Sequence, residues 1–211
     1  MSLLVVGLTG GIATGKSRAA RLFRGFGVPV FDADAAVHAL FAQGSPMADA
    51  VEAAFPGTRS ASGAIDRRAL GEEVLGDPQA LQQLEAIVHP AVRAAERRFL
   101  ERIRRQGFGT AVLDVPLLFE TGGDRLVDCV VVVDVHPRLQ AERALRRPGM
   151  TPGRLAAIRR QQLPRPEKRR RADFVLQAGY DRGASAAAVA GILRRLDGWP
   201  RRAWPRAWLR P

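Results

Sequence analysis

The hydrophobic positions of this chain gather into five short runs, separated by longer stretches with helical spacing. A nearly continuous apolar run is typical of a strand buried on both faces, as in a parallel sheet covered by helices on both sides. The alternation of such runs with helical stretches therefore predicts an α/β fold with a five-stranded parallel sheet. The predicted strands are Leu3 to Leu8, Val28 to Phe31, Thr110 to Val115, Val127 to Val135 and Phe174 to Gln177.

The stretch from residue 35 to residue 106 is too long for a single crossover helix and contains no convincing strand. Proline and glycine interrupt its helical pattern at Gly44-Ser45-Pro46, Pro56-Gly57, Gly76-Asp77-Pro78 and His89-Pro90. The predicted helices are Ala35 to Phe41, Met47 to Phe55, Asp66 to Leu75, Pro78 to Val88 and Ala91 to Gln106. We expect residues 35–106 to form a helical insertion that binds substrate; the alternative is that they only add cover to the core.

A second irregular interval lies later in the chain and is dense in arginine. Prolines and glycines between residues 148 and 166 surround a short predicted helix from Arg154 to Gln162. Because a basic segment between breakers is typical of a lid that closes over phosphates, we assign residues 147–171 to a lid. Residues 1–34, 107–146 and 172–198 form the predicted nucleotide-binding core. Residues 199–211 form a tail that we expect to be poorly ordered or packed across the surface, without activity.

The first predicted strand leads directly into Gly-Gly-Ile-Ala-Thr-Gly-Lys-Ser, which spans residues 10–17. Between a strand and a helix, this pattern predicts a Walker A phosphate loop. In such a loop, backbone N–H groups surround the phosphates, Lys16 reaches the β- and γ-phosphates, and the Ser17 hydroxyl binds Mg²⁺. The helix predicted from Ser17 to Phe26 directs the positive end of its dipole toward the same phosphates. We therefore expect an ATP site in a P-loop three-layer sandwich; the alternative is a glycine-rich turn without a ligand. The expected nucleotide-binding residues are Gly10, Gly11, Ile12, Ala13, Thr14, Gly15, Lys16, Ser17 and Arg18.

Two aspartates, Asp32 and Asp34, follow the second strand. In an extended segment alternate side chains share a face, so we expect these carboxylates to converge beside the phosphate loop. One could accept a proton from an attacking hydroxyl while the other orients it, and Asp34 is favoured because it lies closer to the helical insertion. The alternative is that one of them only caps the helix that begins near Ala35.

Two further aspartates close apolar runs. Asp114 ends the third strand as the aspartate of a Walker B segment does, and we expect it to reach Mg²⁺ directly or through water; Asp134 competes for the same interpretation. On the helix predicted after the fourth strand, Arg143 and Arg147 lie one turn apart, with Arg146 beside them. Arginines of this kind can neutralise charge on a transferring phosphoryl group, and the alternative is a solvated basic face.

The formal net charge of +12 raises the possibility of a nucleic-acid partner. Only Lys16 and Lys168 are lysines among the 33 basic residues, and the arginines are spread along the chain. This distribution favours solvated helix faces and a small anionic substrate over a nucleic-acid surface. No segment approaches the roughly 18 uninterrupted apolar residues of a membrane span, so no membrane partner is expected. The single cysteine, Cys129, is predicted to be a core residue, and a cytoplasmic location fits this composition.

Taken in order along the chain, these segments resemble the dephospho-coenzyme A kinase family. The resemblance extends from about Leu3 to Asp173 and rests on motifs beyond the phosphate loop, which many families share. These motifs are Leu8-Thr9-Gly10-Gly11-Ile12, Asp32-Ala33-Asp34, His89-Pro90, Val115-Pro116-Leu117-Leu118-Phe119-Glu120, Gln140 with Arg143, Gln162, and Arg171-Ala172-Asp173.

The resemblance implies transfer of the γ-phosphoryl group of ATP to the ribose 3′-hydroxyl of dephospho-coenzyme A, with Mg²⁺. It also implies that Lys16 and Ser17 hold ATP, that Asp34 activates the hydroxyl with Asp32 nearby, and that Arg143 stabilises the transferring phosphoryl group. The acceptor pocket that it implies consists of His89, Arg93, Pro116, Leu117, Leu118 and Glu120. We expect a monomer or weak homo-oligomer that binds no nucleic acid.

The chain departs from the family pattern at two places. Thr14 stands where serine is usual, and the segment Val175 to Gly179 lacks the Asp-Asn pair expected near the adenine. Two rival functions also stay open at this point. One is a kinase of the same fold with a nucleoside or sugar as acceptor, and the other is a P-loop ATPase linked to nucleic acid, which the net charge of +12 favours.

Overall fold

The computed structural model describes residues 2–74, 76–179 and 181–208. The strands are β1 (Leu4–Gly10), β2 (Val30–Asp32), β3 (Thr110–Asp114), β4 (Cys129–Asp134) and β5 (Phe174–Gln177). The α-helices are α1 (Lys16–Gly25), α2 (Ala33–Leu40), α3 (Pro46–Ala54), α4 (Arg67–Val74), α5 (Pro78–Arg105), α6 (Pro137–Leu145), α7 (Pro152–Arg160), α8 (Arg165–Arg171) and α9 (Arg182–Leu196), and a short 3₁₀ helix covers Gly123–Leu126.

The sheet has five strands in the order β2-β3-β1-β4-β5, which confirms the predicted α/β fold. β1 is its central strand and runs parallel to β3 and β4, while β4 runs parallel to β5. Leu8 of β1 is in register with Asp114, and Gly10 is in register with Val133. Because all these strands end at the same edge, the end of β1 and the aspartates that close β3 and β4 lie close together.

Two apolar layers cover the two faces of this sheet. On one face, the even-numbered residues of β1 pack with Phe23 of α1 and with Val189 and Ile192 of α9. On the other face, Leu118 and Phe119 pack against Val130 and Val132. Cys129 is 2% exposed, and burial, together with the charges of Asp173 and Asp128, raises its pKa to about 12, so the thiol is a core group as predicted.

The described chain divides into two compact units. The first contains the chain up to Phe31 and from Leu100 onward, and the second is Asp32–Phe99. The second unit has a core of its own, in which Phe41, Val51 and Leu70 are buried. This core consists of side chains from α2, α3 and α4 and from the first half of α5, so the apolar positions of the interval 35–106 serve a helical core rather than a strand.

The predicted break at His89-Pro90 is wrong, because α5 runs without interruption from Pro78 to Arg105 with Pro90 inside it. Proline cannot donate the helical hydrogen bond, which ordinarily ends or kinks a helix. Ile87, Val88 and Ala91, on both sides of the proline, all pack against the core of the second unit, and this packing offsets the lost bond. The helix predicted to end at Leu75 spans Arg67–Val74, and Leu75 lies outside the described residues.

The predicted lid contains two helices instead of one. α7 begins at Pro152, where the Thr151 side chain caps the helix by accepting a hydrogen bond from the Arg154 N–H at 3.1 Å. α8 was not predicted, because its seven residues include five cations and carry no apolar stripe. It is stabilised by ion pairs to the core, which leave no periodic signal in a sequence.

The tail after α9 is packed in a defined way as far as residue 208, and Leu209 to Pro211 lie outside the described residues. The Asp128 carboxylate accepts hydrogen bonds from the N–H groups of Arg202, Ala203 and Val5. The indole of Trp199 donates to the Asp128 carbonyl at 3.1 Å, and Trp204 and Trp208 are buried. Asp128 therefore ties the tail to the start of β1.

Replacing Asp128 with alanine is expected to destabilise the fold by about 2 kcal/mol, because several backbone N–H groups lose their acceptor together. The exposed Asp197→Ala provides a control with the same change of residue and charge, and we expect it to shift stability by less than about 0.5 kcal/mol. Urea unfolding of both variants measures the difference. Equal stability of the two would show that the Asp128 contacts contribute nothing.

Candidate active site

The loop between β1 and α1 has the backbone geometry of a phosphate cradle. Gly15 caps α1 with φ of 100°, a left-handed conformation that suits glycine. A Cβ on Gly10 would lie 2.7 Å from the carbonyl oxygen of Val133, so this position must also be glycine. Thr14 donates from its hydroxyl to the Gly11 carbonyl at 2.9 Å and closes the loop on itself. The loop therefore presents successive N–H groups at the start of a helix, where anions bind.

The two charged residues predicted for the donor site lie together. Lys16 Nζ is 2.6 Å from Asp114 Oδ1, and the Asp114 side chain is 2% exposed at the end of β3. Ser17 is exposed in the first turn of α1. An ammonium and a buried carboxylate thus lie in contact beside the loop, and an exposed serine follows Lys16 in the helix, residue types suited to binding phosphate together with a divalent cation.

The competing aspartate, Asp134, has a different role. Arg165 donates to both of its oxygens at 2.7 and 2.8 Å, and Arg169 donates to the second oxygen as well. Burial alone would raise the pKa of Asp134, but the hydrogen bonds from these two arginines outweigh it and hold the pKa below its usual value. Asp134 therefore anchors α8 to the end of β4.

The segment from Pro116 to Glu120, predicted to line the acceptor pocket, makes contacts within the first unit. The Pro116 carbonyl accepts from the Thr9 hydroxyl at 2.9 Å, and Leu118 is 1% exposed in the core, whereas Leu117 is half-buried. Glu120 accepts from the Leu163 N–H at 2.6 Å, and its carboxylate lies 2.8 Å from Lys168 Nζ. Glu120 thus joins Asp134 in fixing the segment from Leu163 to Arg169.

Arg143 lies close to the phosphate loop. Its guanidinium donates to the carbonyls of Ala178 and Gly179 at 3.1 and 2.9 Å, and it approaches within 3.9 Å of where a Gly15 Cβ would be. Ala178 and Gly179 belong to the segment that departs from the family pattern, so Arg143 supports that segment through its backbone. The helix α6 ends at Leu145, and the prediction that Arg147 extends the same helical face is wrong.

The expected convergence of Asp32 and Asp34 is also wrong, because only Asp32 is extended. Asp32 ends β2 and caps α2, accepting a hydrogen bond from the Ala35 N–H at 3.0 Å. Asp34 lies in the first turn of α2, so the two residues do not belong to one extended segment in which alternate side chains share a face. The capping alternative therefore holds for Asp32.

His89 and Arg93 lie one turn apart on α5 in the second unit. His89 borders a cavity of about 250 Å³ that apolar side chains such as Phe41 and Leu70 line. Arg93 donates to Glu96 at 3.0 Å; Glu96 is 1% exposed, and burial raises its pKa although Arg93 opposes the shift. This part of the second unit can offer an apolar surface beside a guanidinium and an imidazole.

Sequence reasoning gave no role to Arg165, Lys168 and Arg169, which pair with Asp134 and Glu120, or to the contacts of two glutamines with Ile12. Gln140 and Gln162 were recognised only as family motifs, and their contacts to Ile12 join residues more than a hundred positions apart. Only the tertiary structure brings such pairs together, since no local periodicity connects them.

Comparison with known proteins decides the family. The model of the family described as "CoaE: Dephospho-CoA kinase" matches residues 4–181. The chain belongs to the dephospho-CoA kinase family. A relative from Mesorhizobium japonicum, named dephospho-CoA kinase, is 52% identical over 93% of this chain and 98% of its own length.

Two solved structures resemble this chain in fold. The crystal structure of TT1252 from Thermus thermophilus has a TM-score of 0.80 at 33% identity, covering 93% of this chain and 99% of the other. The dephospho-CoA kinase from Campylobacter jejuni has a TM-score of 0.60 at 21% identity, covering 91% of this chain and 96% of the other, and supports the fold alone. Among the described residues, no helix is long and apolar enough to span a membrane.

Proposed function

We propose that this member of the dephospho-CoA kinase family transfers the γ-phosphoryl group of ATP to the ribose 3′-hydroxyl of dephospho-CoA, giving ADP and coenzyme A. The observation that carries the proposal is the Lys16–Asp114 pair, 2.6 Å apart behind a phosphate loop in a chain that matches the family model over residues 4–181. The family match favours dephospho-CoA over a nucleoside or sugar acceptor.

On the donor side, the loop from Gly10 to Gly15 binds the phosphates through its N–H groups, and Lys16 moves from Asp114 to the β- and γ-phosphates. Arg18, at the start of α1, has a buried Nη2 atom without a hydrogen-bond partner among the described residues. This nitrogen supports the inclusion of Arg18 in the nucleotide site. Arg143 stabilises the transferring phosphoryl group from its position beside Gly15, a role that stays a prediction.

The Ser17 hydroxyl and the Asp114 carboxylate are the residues that would hold Mg²⁺. Both supply oxygen ligands, which this cation prefers, and Asp114 is already held beside Lys16. When bound, Mg²⁺ supplies neutralisation of phosphate charge.

On the acceptor side, Asp34 accepts the proton of the attacking 3′-hydroxyl. The Asp32 carboxylate is engaged by the Ala35 N–H, which supports Asp34 as the base and gives Asp32 the task of fixing the start of α2. The residues proposed to bind the acceptor are His89, Arg93, Pro116, Leu117, Leu118 and Glu120. Leu118 is buried in the core and Glu120 contacts Leu163 and Lys168, which favours an indirect contribution from these two residues.

An acceptor screen with ATP and Mg²⁺ tests this function. The screen compares dephospho-CoA with adenosine, AMP, gluconate and shikimate, measuring ADP release for each. We expect kcat/KM for dephospho-CoA to exceed that for every other acceptor by at least about a hundredfold, because a site that binds the whole acceptor discriminates strongly against fragments. A preference for a nucleoside or a sugar acid would contradict the proposal.

We also propose that the enzyme is a cytoplasmic monomer or weak homo-oligomer that binds no nucleic acid. Several arginines are already engaged with carboxylates, as in the pairs of Arg165 with Asp134 and Arg171 with Asp124, which reduces the charge available to a polyanion. A polynucleotide that bound with a steep salt dependence and stimulated ATP hydrolysis would contradict this.

A further inference from the structure

The peptide groups of Ile12, in the middle of the phosphate loop, are held by two glutamine side chains. The Ile12 N–H donates to Gln162 Oε1 at 3.1 Å, and the Ile12 carbonyl accepts from Gln140 Nε2 at 2.9 Å. A backbone N–H can only donate and a carbonyl can only accept, so the backbone determines which way each amide faces. Gln140 must therefore act as a donor and Gln162 as an acceptor.

The loop beside Ile12 leaves room for the amide of Gln140. A Cβ on Gly11 would lie 2.8 Å from Gln140 Nε2, so a larger residue here would displace this amide from its place beside the loop. Ala13, on the other side of Ile12, has φ of 59°, a left-handed conformation that residues other than glycine seldom adopt. Such a conformation persists only where surrounding contacts impose it. The two glutamines provide contacts of this kind at the adjoining residue.

The same glutamines connect the loop to the lid. Gln140 Oε1 accepts from Arg159 Nη2 at 3.1 Å, and Arg159 lies near the end of α7. Gln162 lies two residues after α7 ends at Arg160, and the N–H of the next residue, Leu163, donates to Glu120. The end of α7 is thus linked to Ile12 by two separate routes, while ion pairs to Glu120 and Asp134 fix the segment that follows.

We propose that Gln140 and Gln162 are positioning residues: they hold the Ile12 peptide groups in the conformation that binds phosphate, and they link this conformation to the position of α7. The inference rests on the proposed function only in requiring that the loop binds ATP. Neither glutamine needs to touch the reacting atoms.

The opposite hydrogen-bonding roles of the two glutamines give an isosteric test. Gln162→Glu retains an acceptor for the Ile12 N–H, whereas Gln140→Glu replaces the donor with an oxygen that faces the Ile12 carbonyl. Both changes add one negative charge next to the same residue, so the effect of charge on ATP binding is common to the two variants. We expect kcat/KM for ATP to be at least about tenfold lower in Gln140→Glu than in Gln162→Glu.

The methionine variants complete this comparison. Gln162→Met removes the hydrogen bond to Ile12, and Gln140→Met removes those to Ile12 and Arg159, in both cases without adding charge. We expect both to lower kcat/KM for ATP severalfold, mainly through KM, with unfolding midpoints close to that of the unchanged protein. Equal kcat/KM in the two glutamate variants, or unchanged kinetics in Gln162→Met, would overturn the positioning role. Turnover of dephospho-CoA by the unchanged protein tests the proposed function separately.

The link to α7 has its own test in Arg159→Met, which removes the contact to Gln140 but leaves both contacts to Ile12. Hydrogen exchange is measured with and without ADP. In the unchanged protein we expect ADP to slow exchange both in the loop and in α7. In Arg159→Met we expect ADP to slow exchange in the loop as before, but to lose at least about half of its effect on exchange in α7. Full retention of the effect on α7 would overturn the link.

Discussion

Replacing Lys16 with alanine is expected to lower kcat/KM for ATP by about a thousandfold or more. The substitution removes the cation that reaches the β- and γ-phosphates, where negative charge is redistributed during transfer. It also takes the ion-pair partner from Asp114, whose side chain is 2% exposed, so stability falls as well. Steady-state kinetics and thermal unfolding of the same preparation separate these two effects.

Lys168→Ala is the matched control, because Lys168 is the only other lysine of the chain and also lies in a buried ion pair, with Glu120. We expect it to lower the unfolding midpoint to a similar degree while reducing turnover by less than about tenfold. If the two variants lost turnover equally, the loss in Lys16→Ala would reflect stability, and the assignment of Lys16 to the phosphates would be contradicted.

Replacing Asp34 with asparagine is expected to lower kcat by about 10²- to 10⁴-fold, the usual contribution of a general base. Binding of ATP should change little, since the proposed role of Asp34 concerns the acceptor hydroxyl. The measurements are kcat with both substrates saturating and ATP affinity by calorimetry. A parallel loss of kcat and of ATP affinity would indicate a structural role for Asp34.

Asp32→Asn is the natural comparison for this variant. Asparagine caps a helix about as well as aspartate, and its side-chain oxygen can still accept from the Ala35 N–H, so folding is preserved. We expect a loss of kcat at least about tenfold smaller than in Asp34→Asn. A larger loss in Asp32→Asn would exchange the roles of the two carboxylates.

The sheet and the phosphate loop could be predicted because their signals are local. β1 and β4 are continuous apolar runs, and residues 10–17 join a strand to a helix with glycines where the backbone needs them. The same local reasoning located Asp114 at the end of β3, and the register of parallel strands places it beside Lys16. Sequence also gave the family, through motifs spread over most of the chain.

The features that sequence reasoning missed depend on tertiary contacts. Pro90 predicted a break that packing on both sides of it prevents. Asp32 and Asp34 were treated as extended, whereas Asp32 caps α2 and the helix begins at the next residue. α8 and the tail carry no apolar stripe that would reveal them. They are held by carboxylates from other parts of the chain: Asp134 and Glu120 pair with cations of α8, and Asp128 binds the tail backbone.

The most direct test of the central claim follows the phosphoryl group itself. The enzyme is incubated with dephospho-CoA and ATP carrying ¹⁸O in its γ-phosphoryl group, and the products are examined by ³¹P NMR and mass spectrometry. The proposed reaction predicts one ADP for each labelled phosphate on the ribose 3′-oxygen, in a product identical to coenzyme A. Label recovered as inorganic phosphate, or on any other oxygen of the acceptor, would contradict it.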